Sequence, residues 1–220
     1  MRMFLGHFGV AFAAKRLSPR ISLPVLFASA QLADLLWPIF LLFGIEHVNI
    51  DPGNTAFTPL DFVSYPYSHS LLFLAISGVL FGAFYWLRSR DGTAVVVLFL
   101  LTISHWFLDV AMHRPDMPLY PGSRKLGLGL WNSIPGTLVV ELALFAAGAW
   151  LYFRSTKPRD AIGRWGSVML CIFLLLAYLA AFAGGSPPSV TAVVFSALPG
   201  IGLIILWSAW VDRHRRKPNV

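Results

Sequence analysis

Apolar residues recur along this chain in long runs that are separated by short polar stretches. Seven such runs cover residues 3–14, 21–44, 68–87, 93–112, 126–153, 165–184 and 189–211. Six of them are about 20 residues or longer, which is the length that a helix needs to cross a bilayer. The pattern therefore predicts six membrane-spanning helices, with the first run as a shorter seventh element.

The first run is too short to cross the bilayer as a helix, because twelve residues of helix would rise only about 18 Å. That is less than the hydrocarbon core of about 30 Å. Ala11-Phe12-Ala13 resembles a signal-peptide cleavage site, but Arg2 is the only charge before it and Lys15-Arg16 follow at once. We therefore favour a half-buried or re-entrant helix that packs on the bundle.

The composition agrees with this reading and excludes an ordinary soluble domain. The chain is 57% apolar and 12% charged, with a mean hydropathy of +0.69, whereas soluble domains are about 25% charged. No linker or repeat interrupts the runs. We predict an all-α polytopic membrane protein with one domain, residues 1–220: residues 1–121 carry the candidate site, 126–211 support it, and 212–220 form a basic tail.

The basic residues predict an orientation. Of the 17 lysines and arginines, 13 fall in the stretches 15–20, 88–90, 154–164 and 213–217, and the opposite stretches hold three or four. By the positive-inside rule the richer set is cytoplasmic. The C-terminus would then lie inside, and loops 45–67, 113–125 and 185–188 outside. Because the net charge of +7 sits in these short clusters, it indicates orientation rather than a nucleic-acid partner.

Five ionisable residues lie in or at the ends of the apolar runs, where charge is costly. Asp34, His105 and Asp109 are inside long runs, His69 opens the third run, and His7 lies in the first. A charge at the bilayer centre costs about 2.5–3.5 kcal/mol on insertion scales. Counting along the predicted helices places His69, Asp34, His105 and Asp109 in the outer half of the membrane. Acid and imidazole together indicate a metal site.

The spacing within one predicted helix supports this chemistry. His105 and Asp109 are four residues apart and share a helix face, so both can hold one ion. His113 is rotated off that line and precedes Pro115, so its membership is a weaker prediction. Glu141 is an isolated acid in another run that completes the site, pairs with an internal Arg, or is protonated. The alternative reading is that these residues are hydrogen-bonded packing groups, as in many membrane bundles.

A series of short motifs runs through residues 5–121: Gly6-His7, Ala33-Asp34, Tyr67-Ser68-His69-Ser70, and Ser104-His105 followed by Asp109. The order of these motifs resembles a known family, the LexA-regulated type of membrane-bound metal-dependent hydrolases of the bacterial inner membrane. Two positions depart from the family pattern. Leu36 replaces the second Asp of the family's acidic motif, and Tyr65 stands at or near the position of the first His of its His-Arg-Gly motif. The resemblance implies metal ligands at His7, Asp34, His69, His105 and Asp109, and a bacterial cytoplasmic membrane.

These patterns lead to a leading hypothesis and two alternatives. The leading one is a hydrolase with one or two zinc ions, in which Asp109 and Asp34 are also catalytic. Its substrate would be lipid-linked or anionic, possibly a phosphoester, held near Arg114, Arg124 and Lys125 at the outer face. The alternatives are a non-enzymatic membrane subunit with a membrane-protein partner, and a haem or metal carrier. Membrane lipid surrounds the protein in all three.

Overall fold

The computed structural model describes residues 5–216 and is mainly helical. Two segments lie outside the described residues. They are residues 1–4, with Arg2 and the start of the first predicted run, and residues 217–220, with Lys217 and the end of the basic tail. The helices are α1 Leu5–Leu17, α2 Leu23–Ala30, α3 Leu32–Leu42, α4 Leu71–Ser89, α5 Gly92–Met112, α6 Ile134–Ser155, α7 Ser167–Ala183 and α8 Val190–Arg213. A 3-10 turn, Leu130–Asn132, precedes α6, and a π-helical turn, Ile162–Gly166, precedes α7.

Membrane-spanning helices account for most of the described chain. Five helices are long and apolar enough to cross a bilayer, and the number rises to six if α2 and α3 form one broken span. This confirms the predicted class, an all-α polytopic membrane protein.

The second apolar run is not the single helix that we predicted over residues 21–44. It is divided into α2 and α3, which meet at Gln31 with a bend of 55°. Side chains of α5 bind the carbonyl groups at this break: Thr102 Oγ1 donates to Ser29 O (3.3 Å), and His105 Nδ1 lies 2.8 Å from Ala30 O. Inserted side chains of this kind are a known cause of helix kinks, so the break is stabilised from α5.

The short helix α1 lies inside the bundle. Leu5, Phe8 and Phe12 are at most 1% exposed. The backbones of α1 and α6 approach so closely that a Cβ added at Gly148 would lie 1.9 Å from Gly9 O. Small residues permit such crossings in membrane bundles. A helix too short to span the bilayer is thus held in the centre, where it presents His7 to α5.

Short strand pairs occupy the connections, which the apolar pattern did not predict. Loop 45–67 contains an antiparallel hairpin of β1 His47–Ile50 and β2 Leu60–Ser64. Segment 113–125 is non-helical, as predicted, and holds β3 Met117–Pro118, which pairs with β4 Lys125–Leu126. Phe57 N donates to Trp131 O at 3.0 Å. These segments therefore meet at one end of the bundle, which we call the hairpin end.

The opposite end collects the basic segments, and we call it the basic end. There β5 Lys157–Pro158 pairs with β6 Arg215–Arg216, and Lys15 forms an ion pair with Asp212 (3.0 Å). The charge pattern assigns segments 15–20, 154–164 and 213–217 to one side of the membrane, and their described residues lie together at this end of the bundle.

Candidate metal centre

Five of the predicted ligands meet in the interior of the bundle. His7 comes from α1, Asp34 from α3, His69 from the residue pair before α4, and His105 and Asp109 from α5. All five are at most 5% exposed. Four separate segments thus bring three imidazoles and two carboxylates to one place.

Asp109 lies at the centre of this group. Its Oδ1 is 3.2 Å from His7 Nε2, and its Oδ2 is 3.1 Å from His105 Nε2 and 3.7 Å from His69 Nε2. Asp34 Oδ1 lies 3.6 Å from His69 Nε2. Two sets, His7/Asp34/His105 and His69/His105/Asp109, each offer ligand atoms within 4.8 Å of one another. The side chains therefore converge at the spacing that one metal ion requires.

The orientation of His105 is set by the broken helix. Its Nδ1 lies 2.8 Å from Ala30 O, and a carbonyl can only accept, so Nδ1 carries the proton. In the neutral imidazole, which is the metal-binding form, the lone pair is then on Nε2, which faces Asp109. This is the arrangement of metal-binding histidines, whose other ring nitrogen usually donates to a carbonyl or carboxylate.

A chain of hydrogen bonds orients His69 in the same way. Glu46 accepts from the backbone N–H groups of Tyr67 and Ser68, both at 2.8 Å, and from Ser68 Oγ at 2.5 Å. Because the Ser68 hydroxyl proton is directed to Glu46, Ser68 Oγ accepts from His69 Nδ1 at 2.7 Å. In the neutral ring the lone pair of His69 is therefore also on Nε2, which faces both carboxylates.

The charge balance and the unpaired atoms of the group both fit a divalent cation. Among residues 5–216, the ion pairs of Asp34 and Asp109 are with histidines only, and neither carboxylate pairs with a lysine or arginine. His7 Nδ1, Asp34 Oδ2 and His105 Nε2 make no hydrogen bond to the described residues. Buried charges need a partner, and two carboxylates match the charge of one M²⁺ ion.

The packing of the imidazoles is too tight for a haem. The rings of His7 and His105 stack with their centroids 3.8 Å apart and their planes within 5°. The His69 and His105 ring centroids are 5.3 Å apart. A porphyrin plane between two axial imidazoles requires more room than either pair leaves.

His113 belongs to a neighbouring group, which we call the His113 group, with Tyr65 and Asp116. His113 Nδ1 lies 2.9 Å from Asp116 Oδ1, and Tyr65 donates its hydroxyl to the same oxygen at 2.6 Å. Tyr65 contacts the centre only through its ring, whose centroid is 5.4 Å from that of His69. Burial and then the Asp116 carboxylate hold the Tyr65 pKa well above its usual value. Its phenol therefore stays a hydrogen-bond donor.

Glu141 is not one of the residues whose ligand atoms converge in the two candidate sets. It is fully buried, and its Oε2 accepts a hydrogen bond from Gly6 N at 2.8 Å. Glu141 belongs to α6, but its carboxylate lies at the first residues of α1 and therefore at the positive end of the α1 helix dipole. Glu141 thus anchors the helix that carries His7.

The three predicted substrate-binding cations lie at the hairpin end. Arg114 forms hydrogen bonds with Asn54 and Asp61, and its Nε is 3.5 Å from Asp116. Lys125 donates to Val63 O at 3.3 Å, and Arg124 is exposed. The charge of Arg114 is therefore already compensated, whereas Arg124 and Lys125 face the surface.

Ser68 and Glu46 are functional candidates that the apolar pattern did not reveal. Ser68 lies within the quoted Tyr67-Ser68-His69-Ser70 motif, but its role depends on Glu46, which is 22 residues away in the chain. The only sequence signal was an isolated acid at the end of an apolar run.

A comparison of this chain with known protein families, curated proteins and solved structures found no match.

Proposed function

We propose that this protein is a metal-dependent hydrolase whose centre consists of His7, Asp34, His69, His105 and Asp109. The supporting observation is the convergence of three oriented imidazoles on two buried carboxylates that no lysine or arginine neutralises among the described residues. Histidine and carboxylate ligands favour zinc. When bound, such an ion lowers the pKa of a water molecule to about 7 and makes it a nucleophile.

The geometry favours one ion. His105 is common to both candidate ligand sets, and its Nδ1 is occupied by Ala30 O. It therefore offers one ligand atom, Nε2. A catalytic zinc typically takes three protein ligands, which leaves two of the five side chains for other roles.

The two carboxylates have different expected roles. Asp109 lies within 3.7 Å of three imidazoles and acts as the central ligand. Asp34 Oδ2 has no hydrogen bond to the described residues and acts as the proton acceptor. In hydrolysis of a phosphoester, the water oxygen bonds to phosphorus, its proton passes to Asp34, the ester P–O bond breaks, and the leaving oxygen takes the proton.

The position of the centre favours a lipid substrate. The ligands are buried among helices, and β2 packs over them through Phe62, whose ring lies 5.4 Å from that of Trp37. Trp37 in turn lies 6.3 Å from the His69 ring. A membrane lipid reaches such a site sideways between helices, with an anionic head group near Arg124 and Lys125. The proposed location is the outer face, which the charge pattern favours, of a bacterial cytoplasmic membrane, which the family resemblance implies.

The test is hydrolysis of a defined lipid panel by the full-length protein in nanodiscs, with and without zinc. Phosphatidate supplies a phosphomonoester, and phosphatidylglycerol supplies both a phosphodiester and carboxylic esters. In water enriched in ¹⁸O, we expect one product to carry one ¹⁸O atom, with zinc required. The Asp109→Asn variant should be inactive, and the matched Asp116→Asn variant in the His113 group should be active.

The alternative roles give different results in the same assay. A structural subunit would bind no stoichiometric zinc and would hydrolyse no lipid. A metal carrier would bind zinc without turnover. Either result with folded protein contradicts the proposed hydrolase.

A further inference from the structure

A second polar feature lies at the α2–α3 break, next to α7 and α8. Between α7 and α8 there is a cavity of about 340 Å³, which is within the size range of small-molecule sites. Its walls are apolar apart from Ser196 and Gln31, and no charged residue lines it. Ser196 donates to Val193 O within its own helix at 3.0 Å. Gln31, at the break itself, is therefore the group that can recognise a ligand.

Short side chains keep this cleft open. Ala177 on α7 and Ala197 and Gly200 on α8 line it, and a Cβ added at Gly200 would meet no atom within 4 Å. A smaller cavity of about 210 Å³ shares Ala181 with the first and extends to Pro59 and Gly184 at the hairpin end. The cleft thus has an elongated shape that suits a single hydrocarbon chain.

Gln31 places an unpaired amide in this apolar cleft. The residue is 1% exposed, and neither Nε2 nor Oε1 has a hydrogen-bond partner within residues 5–216. Buried polar side chains are almost always hydrogen-bonded, and in lipid an unpaired amide costs several kcal/mol. The amide offers both a donor and an acceptor, so the best partner is a group that does the same.

We propose that the α7–α8 cleft binds an uncharged single-chain lipid whose hydroxyl or amide group pairs with Gln31. A carboxylate or phosphate would find no cation in the lining. A partner helix is too wide for a cavity of this size, because a helix with side chains is about 10 Å across. This site is separate from the metal centre, and its existence does not depend on the proposed hydrolase.

Photolabelling in phosphatidylcholine nanodiscs tests this site. The probe is a 16-carbon alcohol with a mid-chain diazirine, and its methyl ether, which cannot donate a hydrogen bond, is the matched control. We expect the alcohol to label α7 and α8 peptides about ten-fold more than the ether does, because one buried hydrogen-bond pair is lost. Gln31→Leu should reduce labelling by the alcohol to the level of the ether.

Two glycines of α8 supply matched variants that fill space. Gly200→Leu should abolish labelling because its side chain occupies the cleft. Gly202→Leu also enters open space but does not line the cavity, so it should label like the wild type. Equal labelling by alcohol and ether, or labelling that Gln31→Leu leaves unchanged, overturns the proposal. The proposal is also overturned if the Gly200→Cys variant cross-links into a dimer and the wild-type protein takes no label.

Discussion

Two groups of imidazole and carboxylate side chains lie next to each other in this bundle, and they differ in how their hydrogen bonds are arranged. In the candidate metal centre, Ala30 and Ser68 bind the Nδ1 atoms of His105 and His69, so that both Nε2 atoms face carboxylates. In the His113 group, Asp116 binds His113 Nδ1 and also accepts from Tyr65. In the second group the hydrogen bonds join His113 Nδ1, Asp116 and Tyr65 to one another, whereas in the first His7 Nδ1, Asp34 Oδ2 and His105 Nε2 have no hydrogen-bond partner among residues 5–216.

The comparison shows that residue type and spacing alone do not define a metal site. His105, Asp109 and His113 are equally spaced along the chain, yet only the first two join the centre. The two groups differ in their charge balance, because Asp116 also pairs with Arg114 (3.5 Å), whereas the ion pairs of Asp34 and Asp109 among the described residues are with histidines only. Substitutions in the two groups should therefore have different effects, and the following predictions use that contrast.

The largest effect is expected from Asp109→Asn. The substitution keeps the shape of the side chain but removes the charge that lies between three imidazoles. We expect zinc affinity to fall by more than about 100-fold, beyond the 10–100-fold typical of losing a partner outside the ligand set. Zinc content after dialysis against buffered zinc measures this.

Asp116→Asn is the matched control for that experiment, because it removes a buried carboxylate from the His113 group. It should retain wild-type zinc content. If both variants lose zinc equally, the two groups do not differ as described.

A smaller effect is expected from Ser68→Ala, which interrupts the connection from Glu46 to His69. Without Ser68 Oγ the His69 ring loses its orientation, and we expect zinc affinity to fall about 10–100-fold. Ser104→Ala is the control, because Ser104 Oγ bonds only to Leu101 O on its own helix. Unchanged zinc affinity in Ser68→Ala would show that His69 is not oriented through this residue.

Tyr65→Phe should affect stability without affecting metal binding. It removes the 2.6 Å hydrogen bond to Asp116, and leaving a buried acceptor less satisfied costs about 1–3 kcal/mol. The expected result is a lower Tm in detergent with wild-type zinc content. A loss of zinc in this variant would place Tyr65 in the centre instead.

The smallest predicted effect is a pH dependence that arises from Tyr65. Because its pKa is raised in the folded protein, the unfolded chain releases the phenol proton first, near pH 10. The free energy of unfolding should thus be unaffected by this group below pH 10 and should fall as pH rises above it. Tyr65→Phe should show a shallower alkaline decline in Tm, and an identical decline would contradict this assignment.

The sequence was sufficient to predict the spanning helices and the convergence of Asp34, His69, His105 and Asp109. Both depend on regular helix geometry, in which run length sets depth and a four-residue step sets the face. The break at Gln31 was not predictable, because neither proline nor glycine marks it and its hydrogen bonds come from α5. The role of Glu46 was equally hidden, since it depends on how a loop folds back onto Ser68.

The most direct test of the metal centre is zinc content combined with X-ray absorption at the zinc edge, on wild-type protein in nanodiscs. The account predicts about one zinc per chain, with nitrogen and oxygen ligands near 2.0–2.1 Å and the outer scattering that is typical of imidazole. A protein that is folded and zinc-free after equilibration with the metal would contradict it. A bound ion without imidazole ligands would contradict it as well.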